Sequence, residues 1–348
     1  MATIKDVAKK AGVSIATVSA VINGTRFVAE DTRTRVLAAV DALNYQPNRM
    51  ARALKQKRSQ MIAHILPSVM NPFFPASLKG VEDAAFAADY SVLVCNTETE
   101  PARIERYAEL LLETQVDGVV ITSPGLTAIH ALAHRLDDHG IPVVVLSGPR
   151  SLDSFDRVLV DDVKSGYLAA DHVLDYGHRR VAFVHVRHST TSMHRMEGVV
   201  QALERCMPGK KPALVLEVDN FTEQEGYRIG MNLSKKDGLP TAVVAANDML
   251  AVGISEALHD LGISVPEDVS LVGIDNTMAA SLRPRLSSVA IPAYEMGKEA
   301  VARLKGRMNG VKAGEPLTIT LNPQLVPGHS VTHPTVRTAL PSGRGAPQ

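Results

Sequence analysis

Residues 3–24 read Thr3-Ile4-Lys5-Asp6-Val7-Ala8-Lys9-Lys10-Ala11-Gly12-Val13-Ser14-Ile15-Ala16-Thr17-Val18-Ser19-Ala20-Val21-Ile22-Asn23-Gly24. Thr3 with Asp6 three residues on forms a capping-box start, and Ile4, Val7, Ala8 and Ala11 share one helical face. Gly12 ends that helix, because it tolerates the left-handed conformation of a tight turn. Ser14 caps a second helix whose inner side carries Val18, Val21 and Ile22, and Asn23-Gly24 stops it. A third helix, Glu30 to Asn44, is predicted to turn Val36, Leu37, Val40 and Leu43 inward. Three short helices with a glycine turn between the first two form a helix-turn-helix, whose second helix enters the DNA major groove. On its outward face Ile15, Ala16, Thr17 and Ala20 are the candidates to meet base edges. Amphipathic periodicity by itself also fits any small helical bundle.

Charge points the same way. Residues 1–60 carry 11 Lys and Arg against 4 Asp and Glu, a net +7, and the remaining residues balance this with −7. A basic module on an acidic body is the footprint of a nucleic-acid binder, with a solvated basic arm as the plainer alternative.

The headpiece resembles that of the LacI family of bacterial repressors. The likeness rests on Thr3-Ile4-Lys5-Asp6-Val7-Ala8, Ala11-Gly12-Val13-Ser14, Thr17-Val18-Ser19, Val21-Ile22-Asn23, Thr32-Arg33, Asn44-Tyr45-Gln46-Pro47-Asn48 and Ala51-Arg52-Ala53-Leu54. It implies a DNA-contacting set of Thr3, Ser14, Ile15, Ala16, Thr17, Ser19, Ala20, Asn23, Arg26, Tyr45, Asn48, Arg52, Leu54 and Lys55. It also implies that residues 47–60 become a hinge helix on DNA, with Leu54 inserted in the minor groove and basic neighbours on phosphates. The plainer reading is a flexible basic linker, and a segment that folds on binding satisfies both. Ala20 departs from the long polar residue that relatives often carry there, so direct base readout is expected to be thin, with more weight on DNA shape.

From Met61 onward short apolar runs alternate with amphipathic helices. The strands expected are Met61–Leu66, Ser91–Asn96, Asp117–Ile121, Pro142–Leu146, Arg180–Val186, Ala213–Val218, Thr241–Ala245 and Val269–Ile274. Such alternation means parallel sheets covered on both faces, with ligands at the carboxyl ends of the strands. Four units precede Asp161-Asp162 and four follow, after which Ser288–Ile291 and Leu317–Leu321 are expected to return to the first half. The fold class expected is thus an all-α headpiece with its hinge helix, followed by a two-lobe α/β effector domain. That body resembles periplasmic sugar-binding proteins. The domains read as a headpiece at 1–46, the hinge at 47–60, an effector and dimerisation domain at 61–331, and a disordered tail at 332–348. Lobe 1 would take about 61–160 with 291–321, and lobe 2 about 161–290 with 322–331.

Polar and aromatic residues just past strand ends are the effector candidates: Phe73, Phe74, Ser147, Arg195, Phe221, Asn247 and Asp275. The resemblance implies that Arg195 clamps the effector, that Asn247 and Asp275 hydrogen-bond it, and that Phe221 lies against it. The plainer alternatives are an ion pair for Arg195, a helix cap for Asp275 and a core position for Phe221. Many sugar-responsive relatives place an aspartate where this chain has Ser147-Gly148, and Arg187, His188 and Arg195 gather nearby. That balance hints at an anionic effector, a sugar acid or phosphate.

Nucleotide-loop, hydrolase-elbow and zinc-protease motifs are missing from the sequence. His130, His134 and His139 have metal-like spacing, but neither Cys nor Glu completes a site, and His185, His188 and His194 scatter along a strand and loop. No metal, no cofactor and no catalysis are therefore expected. Cys95 and Cys206 are far apart, and residues 1–12 lack a signal-peptide core, so a reduced cytoplasmic protein is expected. The partners expected are double-stranded operator DNA, a small-molecule effector and a second copy of the chain, with no membrane. Residues 332–348 lack a leucine heptad, which favours a dimer over a tetramer. The alternative is a small-molecule binding protein without regulatory DNA binding, which the basic headpiece disfavours.

Overall fold

The computed structural model describes residues 2–45, 58–122, 127–148, 152–210, 212–233, 238–309 and 315–334. It falls into two units, residues 1–59 and 60–348. Residues 47–57 of the expected hinge helix, with Asn48, Arg52, Leu54 and Lys55, lie outside the described residues, as does all of the expected tail beyond residue 334; residues 58–60, the end of the expected hinge, are not helical.

In the first unit, α1 (Ile4–Ala11) starts on the capping box, with the Thr3 N–H and hydroxyl both donating to an Asp6 carboxylate oxygen at 2.8 Å. Those two bonds from Thr3 hold the Asp6 carboxyl below its ordinary range. Gly12 takes φ 65° at the turn, and Ser14 Oγ accepts the Thr17 N–H at 3.1 Å to open α2 (Ile15–Asn23). With α3 (Glu30–Ala42) these helices enclose Val7, Ala8, Ala11, Val18, Val21, Val36 and Ala39. Leu37, expected inside, is 43% exposed. One residue is a 100° turn of the helix, and the inward arc is already centred on Val36, Ala39 and Val40.

The second unit holds two six-stranded sheets. The first half of the chain supplies β1 (Met61–Leu66), α4 (Phe73–Phe86), β2 (Ser91–Asn96), α5 (Pro101–Thr114), β3 (Gly118–Ile121), α6 (Thr127–Asp138), β4 (Val143–Leu146) and β5 (Asp156–Val160). The second half repeats the plan with α7 (Asp162–Asp175), β6 (Val181–Val186), α8 (Thr190–Cys206), β7 (Leu214–Val218), α9 (Glu223–Gly230), β8 (Ala242–Ala245), α10 (Asp248–Asp260), β9 (Ser270–Asp275) and β10 (Ser287–Ala290). Then follow α11 (Ala293–Met308), β11 (Thr318–Leu321) and β12 (Gln324–Val326). The sheet orders are β11-β5-β4-β3-β1-β2 and β12-β10-β9-β8-β6-β7. All pairings are parallel except β10 with β12.

The apolar runs explain these positions. Central strands β3, β4, β8 and β9 are buried at every residue, as a sheet covered on both faces demands, whereas edge strands β2 and β7 each carry two exposed positions. Ser288–Ile291 does not return to the first sheet. Ser287–Ala290 pairs with β9 as the penultimate strand of the second sheet, and only β11 crosses back. Strands β5 and β12 went unread in the sequence because the first opens on Asp156-Arg157 and the second has three residues. The chain passes between lobes after β5, after β10 and after β11. Among the described residues no helix is long and apolar enough to cross a membrane.

Candidate DNA-reading helix and effector cleft

On α2 the exposed arc holds Ile15, Ala16, Ser19 (half-buried) and Asn23, and Ile15 is 44% exposed. Ser14 Oγ and Thr17 Oγ1 share a hydrogen bond at 2.9 Å, which orients the Thr17 hydroxyl at the helix start. Asn23 Nδ2 donates to the Ser19 carbonyl at 2.8 Å and to Ser19 Oγ at 3.1 Å, so its amide nitrogen is engaged locally. Arg26 is exposed beyond the helix, Thr3 and Ser14 are exposed at their caps, and Tyr45 packs against the headpiece core. Ala20 corrects the expectation of an outward face. It is 3% exposed, since it lies at the margin of the buried arc through Val18 and Val21 and a single methyl is covered there.

In the body, the carboxyl ends of both sheets converge on one arginine. Arg195 on α8 is 5% exposed. Its Nε donates to Asp162 Oδ1 at 2.9 Å, its Nη1 to the Ala246 carbonyl at 2.5 Å, and its Nη2 lies 3.4 Å from Asp275 Oδ1. Asp162 opens α7 directly after the crossover from β5, so this cluster ties the lobe-crossing segment to lobe 2. Helix packing sets its position. A Cβ on Gly166 of α7 would overlap the Arg195 carbonyl oxygen, and one on Gly198 of α8 would overlap that of Val163. The two helices therefore touch backbone to backbone one turn from the ion pair.

Asp275 ends β9 with φ 109° and is 7% exposed. Burial, against the pull of Arg195 and with the push of Asp248 and Asp162, raises its pKa to about 7. Burial also raises Asp162 and Asp248. Asp248 is held by the Ser288 hydroxyl at 2.6 Å and the Met278 N–H at 3.0 Å. Asn247 caps α10 through Oδ1, which accepts the Leu250 N–H at 2.9 Å, while its Nδ2 is buried without a partner.

A cavity of about 340 Å³ opens between the lobes, lined by Pro72 and Ala76 on one side and by Asp275, Asn276 and Thr277 on the other. The crossover residues Ala290, Ile291, Ala293, Tyr294 and Glu295 close its floor. Of the seven effector candidates, Asp275 alone lines this cavity, and Arg195 touches Asp275 from behind. Phe73 and Phe74 stand edge to face at 5.3 Å next to Pro72, with Phe73 packed on the core. Phe221 also packs on the lobe 2 core, its plainer alternative. Ser147 adopts φ 58° with its N–H on the Val158 carbonyl, and among the described residues no hydrogen bond joins it to the Arg195 cluster.

The expected excess of free bases is corrected. Arg187 pairs with Glu217 at 3.4 Å and with Asp219 at 4.0 Å, and Arg195 is taken by two carboxylates. Asp162, Asp248 and Thr277 were missed as site residues. Asp162 was legible only as part of an Asp-Asp boundary, because the strand that delivers it was not read. The described residues hold no group of three or more metal-ligating side chains.

Comparison with known proteins fits both halves. Residues 3–48 match the model for bacterial regulatory proteins of the lacI family, and residues 170–331 match a periplasmic binding protein-like domain. The HTH-type transcriptional regulator DegA of Bacillus subtilis (strain 168) is 36% identical over 334 residues, covering 95% of this chain and 98% of the relative. This chain belongs to the LacI family. Another relative of this LacI-family chain, the HTH-type transcriptional repressor PurR of Actinobacillus pleuropneumoniae serotype 3 (strain JL03), is 35% identical over the same length and coverage. The lac repressor dimer bound to operator and the anti-inducer ONPF superposes with a TM-score of 0.85 at 26% identity, over 95% of this chain and 99% of that one. The LacI-family chain is thus a DNA-binding transcriptional regulator with an effector-binding body.

Proposed function

We propose that the protein is a cytoplasmic repressor that binds a palindromic operator as a homodimer and releases or grips it as a small molecule enters the interlobe cleft. The observation that carries this is the buried Asp162–Arg195–Asp275 cluster, which links the lobe-crossing segment to the wall of the cavity. A ligand that contacts Asp275 changes the partners of Arg195 and Asp162, and so biases the crossover. Coupling of that kind is reciprocal and typically about 1–3 kcal/mol. The headpiece is proposed to read DNA through Thr3, Ser14, Ile15, Ala16, Thr17, Ser19 and Arg26, with Tyr45 and Asn23 bracing it. Asn48, Arg52, Leu54 and Lys55 are assigned to the hinge. Arg195, Asn247 and Asp275 are proposed to hold the effector, with Phe73 and Phe74 beside it. Self-association is assigned to the lobe 1 edge, where Phe86 is 81% exposed and Val94 on edge strand β2 is 38% exposed. The function involves neither catalysis nor a cofactor.

The test is selection of operator DNA. The purified protein is mixed with fragmented genomic DNA of its own organism at about 0.15 M salt, where non-specific phosphate binding is weak, and the retained fragments are sequenced. One enriched palindrome, lost in a Thr17→Ala, Arg26→Ala double variant that still melts cooperatively, supports the proposal. Retention without sequence preference, unchanged by cell metabolites, refutes it.

A further inference from the structure

We propose that α2 reads its operator through the 5-methyl groups of pyrimidines, with Ile15 and Ala16 selecting thymine in each half-site by apolar contact. This rests on the headpiece being the DNA-reading module, and deepens that reading by naming the group on the base that is recognised.

Each base edge in the major groove calls for particular side chains. Guanine is read by an Arg or Lys, adenine by the paired donor and acceptor of Asn or Gln, and cytosine by a carboxylate. The thymine methyl is the apolar group among these edges, and an apolar side chain is what gains from it. The nine residues of α2, Ile15-Ala16-Thr17-Val18-Ser19-Ala20-Val21-Ile22-Asn23, include no charged side chain and no Gln. Asn23 is the single amide, and its Nδ2 is turned back along the helix, donating to the Ser19 carbonyl at 2.8 Å and to Ser19 Oγ at 3.1 Å. The adenine pair needs that nitrogen as a donor. Thr17 and Ser19 are half-buried, and the hydroxyl of each is already bonded, to Ser14 Oγ and to Asn23. A lone hydroxyl both donates and accepts, so it discriminates little between bases.

What faces outward at the front of the helix is apolar. Ile15 and Ala16 are its first two residues, and both are exposed. A lone exposed isoleucine is ordinary on a protein surface. These two, however, stand where a recognition helix presents its N-terminal side chains to base edges. Ala20, one turn beyond Ala16, is covered and adds no polar group. Burying one methyl is worth about fourfold in affinity, enough to favour thymine at each position so covered. Cytosine lacks the methyl, but 5-methylcytosine carries it in the same place. Cytosine methylation at such a position should therefore strengthen binding.

The test removes the methyl and leaves base pairing alone. Random-sequence duplexes are made by polymerase extension with dTTP or with dUTP, and the full-length protein selects from each at about 0.15 M salt, with and without cell metabolites. A palindrome with thymines in its half-sites should emerge from the thymine library, with weaker enrichment from the uracil library. On that palindrome, uracil in place of one half-site thymine should raise Kd about three- to fourfold at one or two positions. There, 5-methylcytosine should outbind cytosine by a similar factor. In an Ile15→Ser, Ala16→Ser double variant the uracil cost should all but vanish, with circular-dichroism melting checking that the headpiece stays folded. The uracil and 5-methylcytosine measurements use the wild-type protein, so they decide the matter even if the variant unfolds. Half-sites without thymine, uracil that costs nothing at every half-site position, or a uracil cost unchanged in the folded double variant would overturn the proposal. Equal selection from the two libraries overturns this proposal alone, whereas no palindrome from either overturns the operator reading and this one with it.

Discussion

Replacing Asp275 by Asn should make the protein more stable than wild type at pH 8, although Asp275 faces an arginine. In the folded chain burial outweighs Arg195 and lifts this carboxyl to about 7, against an ordinary 3.8. Between those values the folded protein keeps a proton that the unfolded chain has lost, so stability falls as pH rises through this window. Each pKa unit is about 1.4 kcal/mol, which makes the penalty on the order of 4 kcal/mol by pH 8. Asparagine keeps the shape and carries no charge to desolvate, so the variant escapes that penalty. Urea unfolding of both proteins at half-unit pH steps from 4.5 to 8 measures it. The difference between the two curves should grow steadily with pH in favour of Asp275→Asn, and shrink towards pH 4. A difference that stays flat, or that grows in favour of wild type, would show that Arg195 rather than burial governs the site, and the account of the cluster would fail.

Asp156 should behave in the opposite sense. Burial alone would raise it, but Arg307, the Leu317 N–H and Arg303 pull it down to about 2. Its stabilisation is therefore present above pH 4 and lost as pH falls through 2, and Asp156→Asn should cost about 2–3 kcal/mol at pH 7 by urea unfolding and little near pH 2. Gly166→Ala must push α7 off the Arg195 carbonyl. A loss of about 1–3 kcal/mol in the same assay is expected, and a neutral result would mean the helices are not in backbone contact. Ser14→Ala removes the cap on the Thr17 N–H. The headpiece should lose about 1 kcal/mol by circular-dichroism melting of the full chain, with Ser14→Asp restoring most of it.

The headpiece was legible almost to the residue because its signals are local. Thr3 and Asp6 meet within one turn, and Gly12 and Ser14 punctuate the chain where the backbone needs them. Leu37 and Ala20 went astray for a shared reason: a helix stripe read from sequence is accurate to about one position, while burial changes over 100°. In the body the apolar runs gave most strands, but the sheet that a strand joins is a long-range matter. Ser287–Ala290 is apolar enough for either lobe, and only its register against β9 decides. Arg195 was a sound choice of residue, yet its occupancy by Asp162 and Asp275 was not legible, since 33 residues separate it from Asp162 and 80 from Asp275. That pairing takes Arg195 out of the group of bases (Arg187, His188 and Arg195) on which, with the missing aspartate at Ser147-Gly148, the anionic hint rested.

The placement of β11 and β12 bears on how the chain is made. Lobe 1 is completed by Thr318–Leu321 and lobe 2 by Gln324–Val326, which leave the ribosome last among the described strands. The headpiece can close as soon as α3 emerges, since its core draws on residues 4–45 alone. Each lobe, by contrast, must hold an open sheet edge until the carboxyl-terminal strands arrive, β5 for the first and β10 for the second. Nascent chains of this protein thus carry a finished DNA-reading module ahead of a sensor that is not yet closed, and the two halves of the sensor are sealed within nine residues of each other.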